Sequence, residues 1–170
     1  MRWALTNRVD ARVRALADRH YSRKTPGAEQ FAPPGWVVVL VTPDGSAGWV
    51  SLRQRAEFVD HQWPGAWLCS LFRNERPDRD LSSELITEAL AATRAEWGEP
   101  SAQGVVTFVD PERVRAKRDP GRCFRRAGFR EVARIAPSHG RGPRVVLQLG
   151  AAQCPAAAPA VGAQLPLEAR

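Results

Sequence analysis

The segment formed by residues 104–129 constrains the fold of this chain more than any other part of the sequence. Val105–Val109 is a short β-branched and aromatic run that stops at Asp110-Pro111, as a buried strand does. After a run of arginines, residues 123–128 predict one or two helical turns closed by a C-terminal glycine, and Phe129 opens another strand. A buried strand, a short helix and a further strand are therefore expected in close succession.

Length and composition limit the classes of protein that need to be considered. A chain of 170 residues suits one domain with a sizeable core. No run reaches the roughly 18 apolar residues of a membrane-spanning helix, and the first residues lack the apolar run of a secretory signal. Cys69, Cys123 and Cys154 share no CxxC spacing, which predicts neither a disulfide framework nor a zinc site. The expected location is a reducing cytoplasm.

The positive charge of the chain has two interpretations. The formal charge is +7, and nearly all of it is arginine because Lys24 and Lys117 are the only lysines. An arginine-rich, alanine-rich composition is typical of a GC-rich genome, so the total charge says little about partners. The charge is concentrated beside the predicted buried strand, where residues 112–126 form either a solvated loop or a phosphate-binding rim. The cations of this arginine-rich segment are Arg113, Arg115, Lys117, Arg118, Arg122, Arg125 and Arg126.

Apolar periodicity predicts the elements of the N-terminal half. Val9, Val13 and Leu16 recur at helical spacing and predict a helix over residues 8–19, with His20 next on the same face. Residues 36–42 and 47–52 are apolar runs separated by a Pro-Asp-Gly-Ser turn, which predicts an antiparallel hairpin. Residues 66–72 predict the next strand.

The C-terminal half is predicted in the same way. A charged loop over residues 73–80 precedes a helix capped by Ser82, with Glu84 in its first turn. The predicted buried stripe of this helix consists of Ile86, Leu90, Thr93 and Trp97. Arg130–Ile135 and Arg144–Leu149 predict two final strands, and residues 151–170 predict an Ala/Pro-rich disordered tail.

This order of elements, with Ala127-Gly128-Phe129 after the short helix, resembles the GNAT acyltransferase fold over residues 1–150. The resemblance implies a single α/β domain with a central mixed, mostly antiparallel sheet flanked by helices, splayed between its fourth and fifth strands. It also implies acetyl-CoA or another acyl-CoA as cofactor, and transfer of the acyl group to an amine acceptor.

In that family, the loop between the fourth strand and the next helix holds the coenzyme's pyrophosphate on backbone N–H groups. Residues 73–83 match this loop, but residues 77–82 lack the family's glycines and carry Asp78 and Asp80. The resemblance implies that the coenzyme is bound by main-chain groups in the fourth strand, by the helix start and by the short helix. The residues concerned are Leu71, Phe72, Arg73, Arg79, Leu81, Ser82, Ser83 and Phe124.

Many members of the family carry a proton-donating tyrosine at the position of Phe124, which has no proton to give. Tyr21 is the only tyrosine of the chain, and we expect it, His20 and Asp110 to move protons or orient the acceptor. Glu75 is a candidate base for the amine. The alternatives are a buried, hydrogen-bonded histidine at His20 and an arginine-paired carboxylate at Glu75.

A second resemblance leads to a different function. His20-Tyr21, residues 108–111 and the Phe124-x-x-Ala127 spacing are similar to the phage Mom-type family, which adds a carbamoylmethyl group to adenine in DNA. It implies a nucleobase amine as acceptor and DNA held by the arginine-rich segment. Trp63 and Trp67, which flank Pro64-Gly65, are candidates either for lining a substrate groove or for stacking on a base. A third alternative is a catalytically inactive GNAT fold that binds nucleic acid.

Overall fold

The structure is a computed structural model, and it describes residues 1–76, 82–114, 119–137 and 142–162. Within these ranges seven strands form one sheet that is flanked by three α-helices. The strands are β1 (Ala4–Thr6), β2 (Trp36–Val41), β3 (Ala47–Arg53), β4 (Trp67–Asn74), β5 (Val105–Val109), β6 (Arg130–Ile135) and β7 (Arg144–Leu149), and the helices are α1 (Ala11–Asp18), α2 (Ser82–Trp97) and α3 (Arg122–Arg126).

The strand order is β1-β2-β3-β4-β5-β7-β6. Each neighbouring pair is antiparallel except β4 and β5, which run parallel and are joined by α2. The α/β fold with a central mixed, mostly antiparallel sheet flanked by helices is therefore confirmed. In the described part of the chain, no helix is long and apolar enough to cross a membrane.

Two elements of the N-terminal half differ from the prediction. The first helix begins at Ala11 because the Asp10 carboxylate caps it by accepting from the backbone N–H of Arg12. Val9 therefore lies outside the helix and is exposed, whereas Val13 and Leu16 are buried as predicted. The short strand β1 was missed, since three residues are too few to show a period-two pattern.

A different helix packs against each face of the sheet. On one face, α2 packs against Trp49, Trp67 and Leu147. On the other face, α1 places Val13 and Ala17 against strands β2, β3 and β4. Of the predicted stripe of α2, the side chains of Ile86, Leu90 and Thr93 are fully buried and that of Trp97 is partly buried.

Residues 151–162 differ from the disorder predicted for the C-terminal tail. Cys154 and Ala160 are buried in the main core, and the backbone N–H of Ala158 donates to the Ala91 carbonyl of α2. Val161 then forms a parallel bridge with Ala4 of β1. Alanine and proline suit this strap because they pack against a helix at little side-chain entropy cost. Residues 163–170 lie outside the described residues.

A buried chain of hydrogen bonds joins the sheet to α2. Trp49 Nε1 donates to Ser51 Oγ at 2.7 Å, Ser51 Oγ lies 2.7 Å from Thr93 Oγ1, and Thr93 Oγ1 donates to the Ala89 carbonyl at 2.8 Å. Since Thr93 gives its proton to Ala89, Ser51 must donate to Thr93. Each polar group in this apolar layer therefore has a partner.

We expect Ser51→Ala to lower the free energy of unfolding by about 1–3 kcal/mol, because the buried indole N–H and the Thr93 hydroxyl each lose a partner. Urea denaturation followed by circular dichroism measures this. Ser70→Ala is the matched control, since its partly exposed hydroxyl makes one 3.4 Å bond and its loss should cost about 0.5 kcal/mol or less. Equal effects of the two substitutions would contradict the assignment of Ser51 as the buried link.

Candidate active site

A β-bulge at Ser70 changes the direction of β4. Val50 of β3 pairs with Leu71, and Ser51 pairs with Cys69, so Ser70 is one residue more than the partner strand accommodates. An inserted residue reverses the alternation of faces in the rest of the strand. Cys69 accordingly packs in the core beneath α2, whereas Leu71 packs with the residues beneath α1.

The sheet opens directly after this bulge. β4 and β5 pair only over Trp67 to Cys69 and Val105 to Thr107, although β4 continues to Asn74. Trp67 N donates to the Gly104 carbonyl, so the even-numbered residues of β5 turn their backbone groups toward β4. Beyond Thr107, the carbonyl of Phe108 and the N–H of Asp110 therefore face an opening between the two strands.

The backbone of β4 faces the same opening at alternate residues. Glu75 N donates to the Ser46 carbonyl on the β3 side, so Leu71 and Arg73 also turn their backbone groups toward β3. Phe72 and Asn74 turn theirs toward the opening. Of the three residues expected to bind a coenzyme through main-chain groups, only Phe72 is suitably directed. The sequence did not reveal this change of direction, because the bulge leaves no signal in it.

Tyr21 occupies the β5 side of the opening. Its hydroxyl lies 3.5 Å from the Phe108 carbonyl oxygen and 3.5 Å from the Asp110 backbone nitrogen, where a neighbouring strand would otherwise pair. Its main-chain carbonyl accepts a 2.8 Å bond from Arg113 Nη1. Burial raises the pKa of the Tyr21 phenol, so the group keeps its proton at neutral pH.

His20 packs against Tyr21. The two ring centroids are 4.3 Å apart, and His20 Nδ1 lies 2.7 Å from the Ser22 hydroxyl. Burial, followed by the positive charge of Arg73, lowers the pKa of His20 to about 4, so its imidazole is neutral at neutral pH. His20 is thus hydrogen-bonded and partly buried, which is close to the buried, hydrogen-bonded histidine that the sequence left open as an alternative.

The Asp110 carboxylate holds the loop that follows β5. Its Oδ1 accepts from the backbone N–H groups of Glu112 and Arg113 at 3.0 and 3.1 Å, and Arg113 Nε lies 3.6 Å from Oδ2. The structure thus brings Asp110 together with Tyr21 and His20. Tyr21 contacts the backbone N–H of Asp110. The Asp110 carboxylate accepts hydrogen bonds from the turn that follows it.

Glu75 is paired with arginines on both sides. Arg19 binds its carboxylate through two nitrogens at 3.0 and 2.7 Å, and Arg73 Nε donates to the same group. These hydrogen bonds lower the pKa of Glu75 to about 2, and the bond from Arg19 makes the largest contribution. A carboxylate with so low a pKa is a weak base, and its geometry matches the arginine-paired carboxylate that the sequence left open as the alternative. It ties the end of α1 to β4.

Aromatic side chains line the α2 side of the opening. Phe124 is buried, with its ring centroid 5.9 Å from Phe72, 6.4 Å from Trp49 and 5.4 Å from Phe129. Phe124 therefore contributes an apolar wall.

Burial raises the pKa of the Cys69 thiol well above its usual value, which makes this cysteine a poor nucleophile.

The start of α2 is tied to the end of β4. Ser82 is the first residue of the helix and its hydroxyl accepts a 3.1 Å bond from Asn74 Nδ2, while Ser83 is partly buried beside it. Arg79 and Leu81, which the resemblance also assigned to coenzyme binding, lie outside the described residues.

The arginine-rich segment is only partly available as a clamp for DNA. Arg113 contacts Asp110, and Arg125 forms ion pairs with Asp119 and Glu131. Arg122 and Arg126 are exposed. The remaining members, Arg115, Lys117 and Arg118, lie outside the described residues. Among the described side chains, no group of three or more His, Cys, Asp or Glu is arranged to hold a metal ion.

Comparison with known proteins shows the fold of the chain. No protein-family model and no curated protein matches it. The structure is similar to the aminoglycoside 6′-N-acetyltransferase from Enterococcus faecium, with a TM-score of 0.57 and 11% sequence identity over 88% of this chain and 97% of that chain. This similarity confirms the GNAT-like fold that the sequence implied.

A second similar structure is the aminoglycoside N(6′)-acetyltransferase from Legionella pneumophila subsp. pneumophila, with 15% sequence identity and a TM-score of 0.49. The match covers 70% of this chain and 66% of that chain, slightly less than two thirds of the latter's length. Nothing in the comparisons supports the resemblance to the phage Mom-type branch.

The environment of His20 predicts a pH effect on stability. Its pKa of about 4 in the folded chain lies below the ordinary value of 6.5, so the unfolded chain binds the proton more tightly. The stability contributed by neutral His20 is complete above pH 6.5 and is lost as the pH falls from 6.5 toward 4. His20→Gln should flatten this part of the curve of unfolding free energy against pH.

Proton NMR of the imidazole Hε1 resonance measures the pKa of His20 directly, and the resonance is assigned by its absence in His20→Gln. The expected midpoint is near pH 4. A midpoint near 6.5 would show that His20 is solvated and does not pack against Tyr21 as described.

Proposed function

We propose that this chain is a GNAT-fold N-acyltransferase, which transfers an acyl group from an acyl-CoA thioester to the amine of a small-molecule acceptor. The observation that carries the proposal is the opening between β4 and β5, which is bordered by the backbone groups of Phe72 and by the Tyr21 hydroxyl. The similarity in fold to an aminoglycoside acetyltransferase supports it by analogy, while the function itself is argued from the site.

The residues around the opening fit an acyl-CoA. Phe72 offers its backbone N–H and carbonyl to an amide group of an extended pantetheine arm, in the way that one strand pairs with another. Phe72 and Phe124 provide an apolar wall beside it. The N-terminus of α2, a helix of 16 residues, presents backbone N–H groups and the positive end of its dipole to a pyrophosphate.

Tyr21 takes the role of general acid that Phe124 cannot fill. The amine nitrogen attacks the acyl carbon directly, and Tyr21 Oη gives its proton to the sulfur as the carbon–sulfur bond breaks. The proton released by the amine goes to water, and Tyr21 is reprotonated from solvent. Its raised pKa keeps the phenol protonated until that step.

His20 and Arg113 act as positioning residues for Tyr21. The His20 ring packs against the Tyr21 ring, with the centroids 4.3 Å apart, and Arg113 Nη1 donates to the Tyr21 carbonyl at 2.8 Å. Because neither the low-pKa His20 nor the paired Glu75 is a good base at neutral pH, the acceptor has to bind as the free amine or lose its proton to water.

Binding of the acyl donor tests the first part of the proposal. We expect titration calorimetry with acetyl-CoA at low salt to give micromolar binding, with free CoA as control. Phe72→Pro should weaken binding, since it removes a backbone N–H that faces the opening, whereas Phe72→Leu keeps that N–H and an apolar side chain. An absence of heat at millimolar acetyl-CoA would overturn the acyltransferase proposal.

Acyl transfer tests the role of Tyr21. The measurement is release of free thiol from acetyl-CoA with a panel of primary amines, in which aminoglycosides are included because of the fold similarity. Tyr21→Phe should lower kcat by roughly 100-fold or more and leave acetyl-CoA binding unchanged. Cys123→Ser should retain activity, because direct attack needs no thiol. Loss of activity in Cys123→Ser with full activity in Tyr21→Phe would assign the chemistry to the thiol instead.

A further inference from the structure

A pair of exposed aromatic side chains lies far from the opening. Trp36 and Phe58 are each 53% exposed, although large aromatic rings are usually buried. Trp63 and Trp67, the tryptophans that the sequence suggested for base stacking, are buried in the core. An exposed ring able to stack on a ligand is therefore found at Trp36 and at neither of the predicted positions.

Two adjoining hollows share Trp36 and Arg55. The first has a volume of about 380 Å³ and is lined by Arg8, Pro34, Gly35, Trp36, Arg55 and Phe58. The second has a volume of about 520 Å³ and extends past Trp36 and Arg55 to Arg53, Pro64 and Gly65. The Trp36 indole thus forms the ridge between two concave surfaces.

The Trp36 ring is held in place from one side. Trp36 and Arg53 are cross-strand partners, and the Arg53 guanidinium carbon lies 5.1 Å from the Trp36 ring centroid and 5.6 Å from that of Trp97. A guanidinium between two indoles is a favourable cation–π arrangement. It fixes the orientation of Trp36, so little entropy is lost when a second planar group stacks on the ring.

The charges of the first hollow favour an anion. Arg8 Nη2 donates to the Gly35 carbonyl at 2.7 Å, which holds the guanidinium at the rim. Arg55 has a largely exposed side chain, and its contact with Glu57 is long, at 3.8 Å. The six residues that line this hollow include two arginines and no carboxylate. Flat aromatic walls beside arginines suit a planar base that carries a phosphate.

We propose that the hollow formed by Arg8, Pro34, Gly35, Trp36, Arg55 and Phe58 is a second ligand site, which binds a nucleotide unit. The base stacks on Trp36 and contacts Phe58, and the phosphate lies between Arg8 and Arg55. The nucleotide unit comes either from a free mononucleotide or from an unpaired strand of nucleic acid, since the two share this chemistry.

This site is separate from the acyl-transfer opening. Trp36 begins β2 opposite Arg53 at the end of β3, and the adjoining part of β4 is its first residues. The opening lies at the other end of β4, beyond Ser70. Failure of nucleotide binding would therefore leave the acyltransferase proposal intact, and the two are tested by different variants.

The test is titration of the full chain with 5′-AMP and, separately, with an eight-nucleotide oligo(dA), followed by tryptophan fluorescence and calorimetry at low salt. We expect saturable binding that Trp36→Ala weakens about tenfold or more. Arg55→Gln should also weaken binding and reduce its salt dependence, because a phosphate contact is lost. Both side chains are largely exposed, and circular dichroism checks that the variants fold.

Matched controls separate this site from the rest of the surface. Arg126→Ala removes an exposed arginine of the arginine-rich segment and should leave binding unchanged, as should Tyr21→Phe at the opening. Equal affinity for the two probes, per nucleotide, identifies a free nucleotide as the ligand, and tighter binding of oligo(dA) identifies a nucleic acid strand. Absence of saturable binding, or equal affinity in Trp36→Ala and the unaltered chain, would overturn the proposal.

Discussion

The β-bulge at Ser70 is the constraint on which the geometry of the candidate active site depends. Ser70 is an extra residue in β4 that has no cross-strand partner in β3. Because of it, Leu71 and Arg73 turn to the α1 face of the sheet and Phe72 lies on the α2 face. The same insertion directs backbone groups of β4 into the gap beside β5. A regular strand would continue the parallel ladder past Cys69 and close that gap. The proposed donor site thus lies where the ladder between β4 and β5 ends, with the backbone groups of Phe72 directed into the gap.

The end of α1 supplies the side chains that complete this gap. Arg19 and Arg73 share the carboxylate of Glu75, which joins the helix end to β4. Tyr21 follows two residues later and reaches β5 with its hydroxyl, while Arg113 binds its carbonyl from the loop after β5. In the proposed mechanism, Tyr21 supplies the phenol that the short helix α3 lacks at Phe124. Glu75 and Arg113, which the sequence analysis considered for catalysis and for DNA binding, form contacts that hold the segment around Tyr21 in place.

Much of the fold could be predicted because the information was local. Val105–Val109, Arg130–Ile135 and Arg144–Leu149 have the predicted bounds, since each is a β-rich run ended by turn residues. The strap over residues 151–162 was not predicted, because its order comes from contacts with Ala91 and Trp3 that are distant in sequence. The roles of Glu75 and Asp110 were uncertain for the same reason: a carboxylate's function depends on which donors surround it.

The sequence by itself determined the order of the elements, the hairpin, the buried stripe of α2 and the absence of a hydroxyl at Phe124. These follow from side-chain periodicity, turn chemistry and residue type, which are properties of neighbouring residues. The tertiary structure alone decided the bulge at Ser70, the approach of Tyr21 to Phe108 and Asp110, and the exposure of Trp36 rather than Trp63. Each of these depends on strand register and on packing between distant segments, for which a short stretch of sequence carries no signal.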